Sequence, residues 1–295
     1  MQQEFFTLAE SSRFQPSSPV NVASVPQRSP FRYPGGKTWF VPAFRQWMRS
    51  LDKKPQVLVE PFAGGATIAL TAVCEGWTDH AVLIELDPDV AAVWQVVTAG
   101  DAPLLAEKIL GFDLTVENVK AELANTAQNT LQRAFQTILR NRTFHGGILA
   151  AGSGLIKSGE AGKGISSRWY PQTLAKRFLT LHAVRQRLTV LCGDALQSAK
   201  IYQADSACVF FVDPPYTAGG KNAGRRLYTF FDLNHLALFD FCTNIAGDFV
   251  MTYDNADEVI ALAMSHDFQT KLIPMKSTHH AEMTELVIGR GLDWL

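Results

Sequence analysis

The residues with the greatest chemical capacity lie in VDPPYT (212–217), which closes the strongly apolar run ACVFFV (207–212). A specified four-residue string is expected by chance in roughly one of several hundred chains of this length. An amine conjugated to a ring is a poor nucleophile, because its lone pair is delocalised. Asp213 can accept one hydrogen of such an amine and the Pro214 carbonyl the other, which favours a pyramidal nitrogen with its lone pair free to attack. The two prolines restrict the backbone and remove competing N–H donors, so the carbonyl is held in place before reaction. Tyr216 adds a flat face on which a base can stack. The plainer reading is a rigid turn after a buried strand.

A second group of residues points to a nucleotide-like ligand. In VEPFAGGATIAL (59–70) a strand ends in an acid and a glycine turn opens a helix; Gly64 and Gly65 let the backbone approach a ligand at the strand's carboxyl end. A second strand ends in LIELDPDV, placing Glu85 twenty-one residues after Gly64. An acid there can accept both hydroxyl hydrogens of an adenosine ribose. Asp87 reads as the cap of a helix starting near Pro88. Together these segments imply an adenosine-bearing cofactor.

Elements that could position these groups follow from the apolar pattern. QVLVE (56–60), AVLIEL (81–86), TVLC (189–192), ACVFFV (207–212), FVMTY (249–253) and ELVIG (285–289) read as strands separated by helices. Continuous apolar strands of this kind form a parallel sheet covered on both faces. Phe40, Phe44, Trp47 and Met48 recur at helical spacing. Residues 1 to 29, rich in Ser, Pro, Gln and Asn, read as a poorly ordered extension. Residues 30–99 and 189–295 form the sheet domain, and 100–188, mostly helical, a separate inserted subdomain.

The 295-residue chain is 47% hydrophobic and 19% charged, which excludes collagen-like and wholly disordered classes. It shows no run long enough to span a membrane, and its first residues, without a basic region before a small-residue cleavage site, are not expected to act as a secretory leader. Its four cysteines have no metal-binding spacing and read as reduced thiols of a cytoplasmic protein. With 27 basic and 28 acidic side chains the net charge is −1. Residues 131–190, however, hold ten basic side chains (among them Arg140, Arg142, Lys157, Lys163 and Arg168) against Glu160 alone, leaving +9 there and −10 over the rest of the chain. A block of that sign, interleaved with glycine and aromatics, is expected to face a polyanion.

FRYPGGK, VEPFAGG, LIELDPDV and DPPY, in this order, resemble the Dam-type family of DNA adenine-N6 methyltransferases, with support from RNRTFHGG, CGDA and ELVI. The likeness runs from about residue 31 to 290. It implies a Rossmann-like α/β methyltransferase sheet with an inserted target-recognition subdomain, S-adenosyl-L-methionine as cofactor and double-stranded DNA as substrate, the adenine being flipped out. By that resemblance Tyr33, Lys37, Phe62, Gly64, Gly65, Glu85, Asp194 and Asp213 line the cofactor site. Asp213, Pro214 and Tyr216 are the catalytic motif, and Arg140 and Asn141 open the recognition region. It also implies a cytoplasmic enzyme, bacterial or phage-encoded, and leaves open a cognate restriction or defence partner, the recognition sequence and the oligomeric state.

TAGGKNAGRRLY (217–228) carries Lys221, Arg225 and Arg226 and reads as a loop closing over the extruded nucleotide and touching phosphate. His145, His279 and His280 lack acids or cysteines at ligand spacing, so no metal is expected. The rival chemistry is cytosine-N4 methylation, which meets the same kind of amine with a related motif. Glutamine-amide or RNA methylation commonly uses Asn in place of Asp213. In a different class stands a catalytically silent DNA-binding regulator, against which intact Asp213, Pro214, Pro215, Tyr216 and Glu85 argue.

Overall fold

The six apolar runs that read as strands all form strands. The computed structural model describes residues 20–32, 35–150, 152–216, 233–276 and 282–295; Tyr33, Lys221, Arg225, Arg226, His279 and His280 fall outside these. The helices are α1 (Val41–Ser50), α2 (Thr67–Glu75), α3 (Pro88–Ala99), α4 (Ala102–Gly111), α5 (Val116–Ala124), α6 (Thr130–Thr143), α7 (Pro171–Val184), α8 (Ala195–Ala199), α9 (His235–Thr243) and α10 (Asp257–Ser265). The strands are β1 (Val57–Glu60), β2 (His80–Glu85), β3 (Leu188–Cys192), β4 (Cys208–Val212), β5 (Phe249–Asp254), β6 (Gln269–Lys276) and β7 (Glu282–Gly289).

The seven strands make one sheet of order β3-β2-β1-β4-β5-β7-β6. The first five are mutually parallel, and β7 runs antiparallel to both β5 and β6. Side chains alternate between two cores, as a strand period of two requires. Leu58, Val209 and Phe211 face a core shared with α1 to α4, α6 and α7, while Val59, Phe210 and Val212 face one built with α9 and α10. This is the Rossmann-like α/β architecture expected from the sequence. The strand missed by the sequence reading, β6, lies at the sheet edge, where Pro274 and two lysines are tolerated.

Two local signals place the carboxyl edge of the sheet. Asp87 accepts a hydrogen bond from the Asp89 amide at 2.9 Å, Pro88 opens α3, and Gly100 (φ 95°) ends it in the left-handed region. Strand order reverses between β1 and β4, so a crevice opens at their carboxyl ends, the general position for ligands in such sheets.

Residues 100–188 depart from the expectation of a separate unit. Leu105, Ile109, Phe135, Ile138, Leu174 and Phe178 belong to the same apolar core as Leu58 and Phe211. Helices α4, α6 and α7 therefore thicken one face of the sheet domain, and the stretch with least regular structure is 144–170. The expected loose segment 1–29 also differs at its end. Val25 and Phe31 are buried, the Phe31 ring lies 5.5 Å from that of Trp94, and Arg28 pairs with Glu75 at 3.1 Å. A few apolar residues, the Arg28–Glu75 ion pair and side-chain hydrogen bonds to the backbone of Ser29, Pro30 and Arg32 dock residues 20–32 onto the helices, contacts that leave no pattern in a Ser- and Pro-rich composition.

Candidate active site

The glycine turn after β1 is fixed from three sides. Glu85, at the end of β2, accepts from the Gly64 amide at 2.8 Å with one carboxylate oxygen and from the Asp87 amide at 2.9 Å with the other. The Trp94 indole donates to the Gly64 carbonyl at 3.0 Å. Gly64 is thus held through both its backbone polar groups, one in each of the two peptides that flank it. Ala66 then enters α2 with φ 50°, a left-handed conformation costly for a residue with a side chain and sustained by this bracing. Glu60, at the end of β1, accepts from the Ala69 amide at 2.8 Å.

A cavity runs along this edge. It is lined by Gly35 to Lys37, Glu60 to Thr67, Glu85 to Asp87, Asp194 to Leu196, Asp213 and Pro215. Of the residues assigned by resemblance to a cofactor, Lys37, Phe62, Gly64, Gly65, Glu85, Asp194 and Asp213 stand around this one space. Tyr33 is outside the described residues. Asp194 also caps α8, accepting from the Gln197 amide at 2.8 Å. Burial pushes the Glu85 carboxyl up to about 7, against the opposing pull of its backbone N–H partners. Burial likewise drives Glu60 well above the ordinary carboxylate range, and Asp213 adds to that while the Ala69 amide and Lys37 oppose it.

Lys37 and Asp213 of this lining belong to a compact polar cluster. Lys37 pairs with Asp213 at 2.8 Å and with Glu285 at 3.2 Å, and donates to the Gly35 carbonyl at 2.9 Å. Asp213 Oδ1 receives the Thr252 hydroxyl at 2.9 Å and the Tyr216 hydroxyl at 2.8 Å. Tyr216 also contacts Glu285 Oε1 through the same hydroxyl. Lys37 and Glu285 are about 95% buried, with 4% and 5% of their surfaces exposed. Burial raises Glu285, with Lys37 opposing and Asp213 reinforcing; burial, Asp213 and Glu285 together raise the Tyr216 phenol.

Tyr216 is placed differently from the expected open stacking platform. Its ring is stacked on Tyr253 with centroids 5.4 Å apart, and the Lys37 ammonium sits 5.1 Å from its centre. Tyr253 in turn shares a 2.7 Å hydrogen bond with His235. Glu285, Thr252 and Tyr253 were missed as site residues. Their runs read as strands; the parallel pairing of β5 with β4 brings Thr252 and Tyr253 beside Asp213, and the antiparallel entry of β7 next to β5 adds Glu285.

The basic block also requires correction. Asn141 is fully buried, and its amide bonds the Arg32 N–H at 2.8 Å, the Arg32 carbonyl at 3.0 Å and the Gly147 carbonyl at 2.9 Å. A Cβ at Gly147 would stand 2.5 Å from the Arg32 carbonyl oxygen, so glycine is required at this junction. Arg142, 4% exposed, donates to the Pro30 carbonyl; burial and the neighbouring Arg177, Arg32 and Arg168 push it down to about 9. Neither Asn141 nor Arg142 is free to meet DNA, because each is committed to backbone inside the fold. Arg140 is half-buried and pairs with Asp89 of α3 at 3.1 Å. Arg177 donates to the Ser29 carbonyl at 2.8 Å, and Arg187 to the carbonyls of Val73, Thr78 and Asp79. Much of the +9 therefore holds the chain together. Lys157 and Lys163 are exposed and Arg168 half-exposed, all three in the irregular 144–170 stretch.

Among the described residues no cluster of His, Cys, Asp and Glu could hold a metal ion, and no helix is long and apolar enough to cross a membrane. A family model described as D12 class N6 adenine-specific DNA methyltransferase matches residues 33–278. Among solved structures, the rRNA methyltransferase aviRa from Streptomyces viridochromogenes is 12% identical with a TM-score of 0.42, the match covering 95% of this chain and 96% of that one. Precorrin-6y C5,15-methyltransferase from Geobacter metallireducens is 9% identical with a TM-score of 0.36, covering 85% and 87%. A search of curated protein sequences returned no match.

Proposed function

The chain belongs to the D12 class N6 adenine-specific DNA methyltransferase family, and from that premise we propose that it moves a methyl group from S-adenosyl-L-methionine to an adenine extruded from double-stranded DNA. The observation that carries this reading is the meeting of Glu85 and Asp213 on one cavity at the crevice between β1 and β4. The donor set suits the cofactor. Glu85 uses one lone pair of each oxygen on backbone amides and retains others for two ribose hydroxyls. Phe62 and Leu196 offer apolar walls for a purine, with Asp194 beside them.

When bound, S-adenosyl-L-methionine supplies a methyl group activated on a sulfonium. Asp213 accepts one hydrogen of the adenine N6 amine and the Pro214 carbonyl accepts the other. Together they turn the nitrogen lone pair outward for an in-line displacement. Catalysis is then positioning and hydrogen-bond polarisation, with no covalent enzyme intermediate. A paired base cannot reach a cavity at the sheet edge, so it must leave the duplex. Tyr216 contributes chiefly through its hydroxyl on Asp213. Lys157, Lys163 and Arg168, with Lys221, Arg225 and Arg226, meet phosphate.

The test is transfer of labelled methyl to duplex DNA, followed by mass spectrometry of the nucleosides. Label in N6-methyladenine is expected, and label confined to cytosine would overturn the choice of base. Asp213→Ala is expected to abolish transfer while DNA binding persists. Comparable residual turnover in that variant would remove Asp213 from the mechanism.

A further inference from the structure

The Tyr216 hydroxyl lies within hydrogen-bond reach of two carboxylates, Asp213 Oδ1 and Glu285 Oε1. A phenol has one hydrogen to give, and an ionised carboxylate only accepts. Two hydrogen bonds on that oxygen therefore need a second proton, carried by one of the carboxyls. Charge points the same way, since among the described residues Lys37 is the one cation paired with both acids. With both ionised, the buried group would carry a net negative charge, which a poorly solvated position disfavours.

Of the two acids, Asp213 is better supplied as an anion. It receives Lys37 at 2.8 Å and Thr252 at 2.9 Å besides Tyr216. Glu285 has Lys37 at 3.2 Å and Tyr216, and it is the more buried of the pair. Burial raises its carboxyl, in the direction of retaining a proton. The surrounding elements add no second cation to this balance among the described residues. Glu60 on β1 acts on the cluster through Asp213 and Lys37. Asp254 stands opposite Glu285 on β5, and Ile273 opposite it on β6.

We propose that Glu285 is a positioning residue that stores this proton. As the neutral acid it donates to the Tyr216 oxygen and so commits the Tyr216 hydrogen to Asp213. Asp213 is thereby held in one orientation, with its remaining lone pairs available to the reacting amine. When Glu285 ionises, the Tyr216 hydrogen turns to it instead and Asp213 loses one of its three supports. This inference rests on the adenine-methylating role proposed above.

The experiment measures kcat against pH at saturating cofactor, on DNA from a host without adenine methylation. The wild type should lose turnover on an alkaline limb. Glu285→Gln, whose amide can donate to Tyr216 but never ionises, should retain turnover within about threefold and lack that limb. Glu285→Ala should lower kcat by about tenfold or more at every pH, with KM for DNA little changed. Infrared difference spectra supply a second readout. The neutral-acid C=O absorption at neutral pH should lose one carboxyl component in Glu285→Gln relative to the wild type, the contributions of Glu60 and Glu85 being common to both. Equal turnover losses in the two variants, an unaltered alkaline limb in the glutamine variant, or an unchanged neutral-acid band would each overturn the proposal. A wild-type chain that methylates no DNA refutes the proposed function instead, and the infrared band still decides where the proton resides.

Discussion

Replacing Asn141 with alanine separates a structural role from a DNA-reading one. The side chain makes three hydrogen bonds of 2.8 to 3.0 Å, two to the Arg32 backbone and one to the Gly147 carbonyl. Each is worth about 1 kcal/mol net, and an orphaned buried partner adds about 1–3 kcal/mol. Arg32 is exposed, so water can replace the amide there, whereas Gly147 is buried and its carbonyl would be stranded. The loss should be about 4–6 kcal/mol, a large share of the roughly 5–15 kcal/mol typical of a folded domain. Urea denaturation should show a lower midpoint with an unchanged slope, since the surface exposed on unfolding is the same. Below the transition the folded variant should bind DNA with the wild-type salt dependence. A variant of wild-type stability with weakened or less selective DNA binding would refute the reasoning and return Asn141 to the recognition surface.

Two further outcomes follow from the site and the basic block. Glu85 titrates near 7 in the free protein, and ribose hydroxyls that donate to it favour the ionised form, so cofactor affinity should rise by about tenfold between pH 6 and 8. Calorimetry should register proton release on binding near pH 7, and a flat affinity profile would exclude Glu85 as the ribose acceptor. Lys157→Ala with Lys163→Ala should reduce the slope of log K against log salt by about 2 if each meets one phosphate. Arg187→Gln, which loses its grip on three carbonyls, should lower stability and leave that slope unchanged.

What could be read from the residues depended on whether local pattern carried the information. Cys208 to Val212 is buried at every position and follows the apolar run in the sequence, so the central strand was legible. Asp87 and Pro88 announced the start of α3 by chemistry that acts within two residues. Asp213 and Glu85 stood out because polar groups closing apolar strands face the edge where ligands bind. By contrast, β6 mixes Lys271, Pro274 and Lys276 with its apolar residues, and its strand character comes from pairing with β7. Thr252 and Glu285 occupy ordinary strand positions, and their place in the site follows from two chain segments becoming neighbours in the sheet. Counting charges had a related limit. It cannot distinguish a guanidinium in water, where it can attract DNA, from one bound to a carbonyl, and Arg142, Arg177 and Arg187 are of the second kind.

The docking of residues 20–32 under α6 and α7 bears on how this protein can be re-engineered. Asn141 joins Arg32 to Gly147, Arg142 takes the Pro30 carbonyl, and Arg177 takes that of Ser29. A transplant of residues 144–170 from a relative would cut this junction while leaving half of it behind. The exchangeable module is discontinuous: it comprises the arm before the glycine turn, the end of α6, the irregular stretch that follows and the part of α7 that carries Arg177. Chimeras that carry all four pieces should retain the host's thermal stability, and those that carry the stretch alone should inherit a misfitted seam.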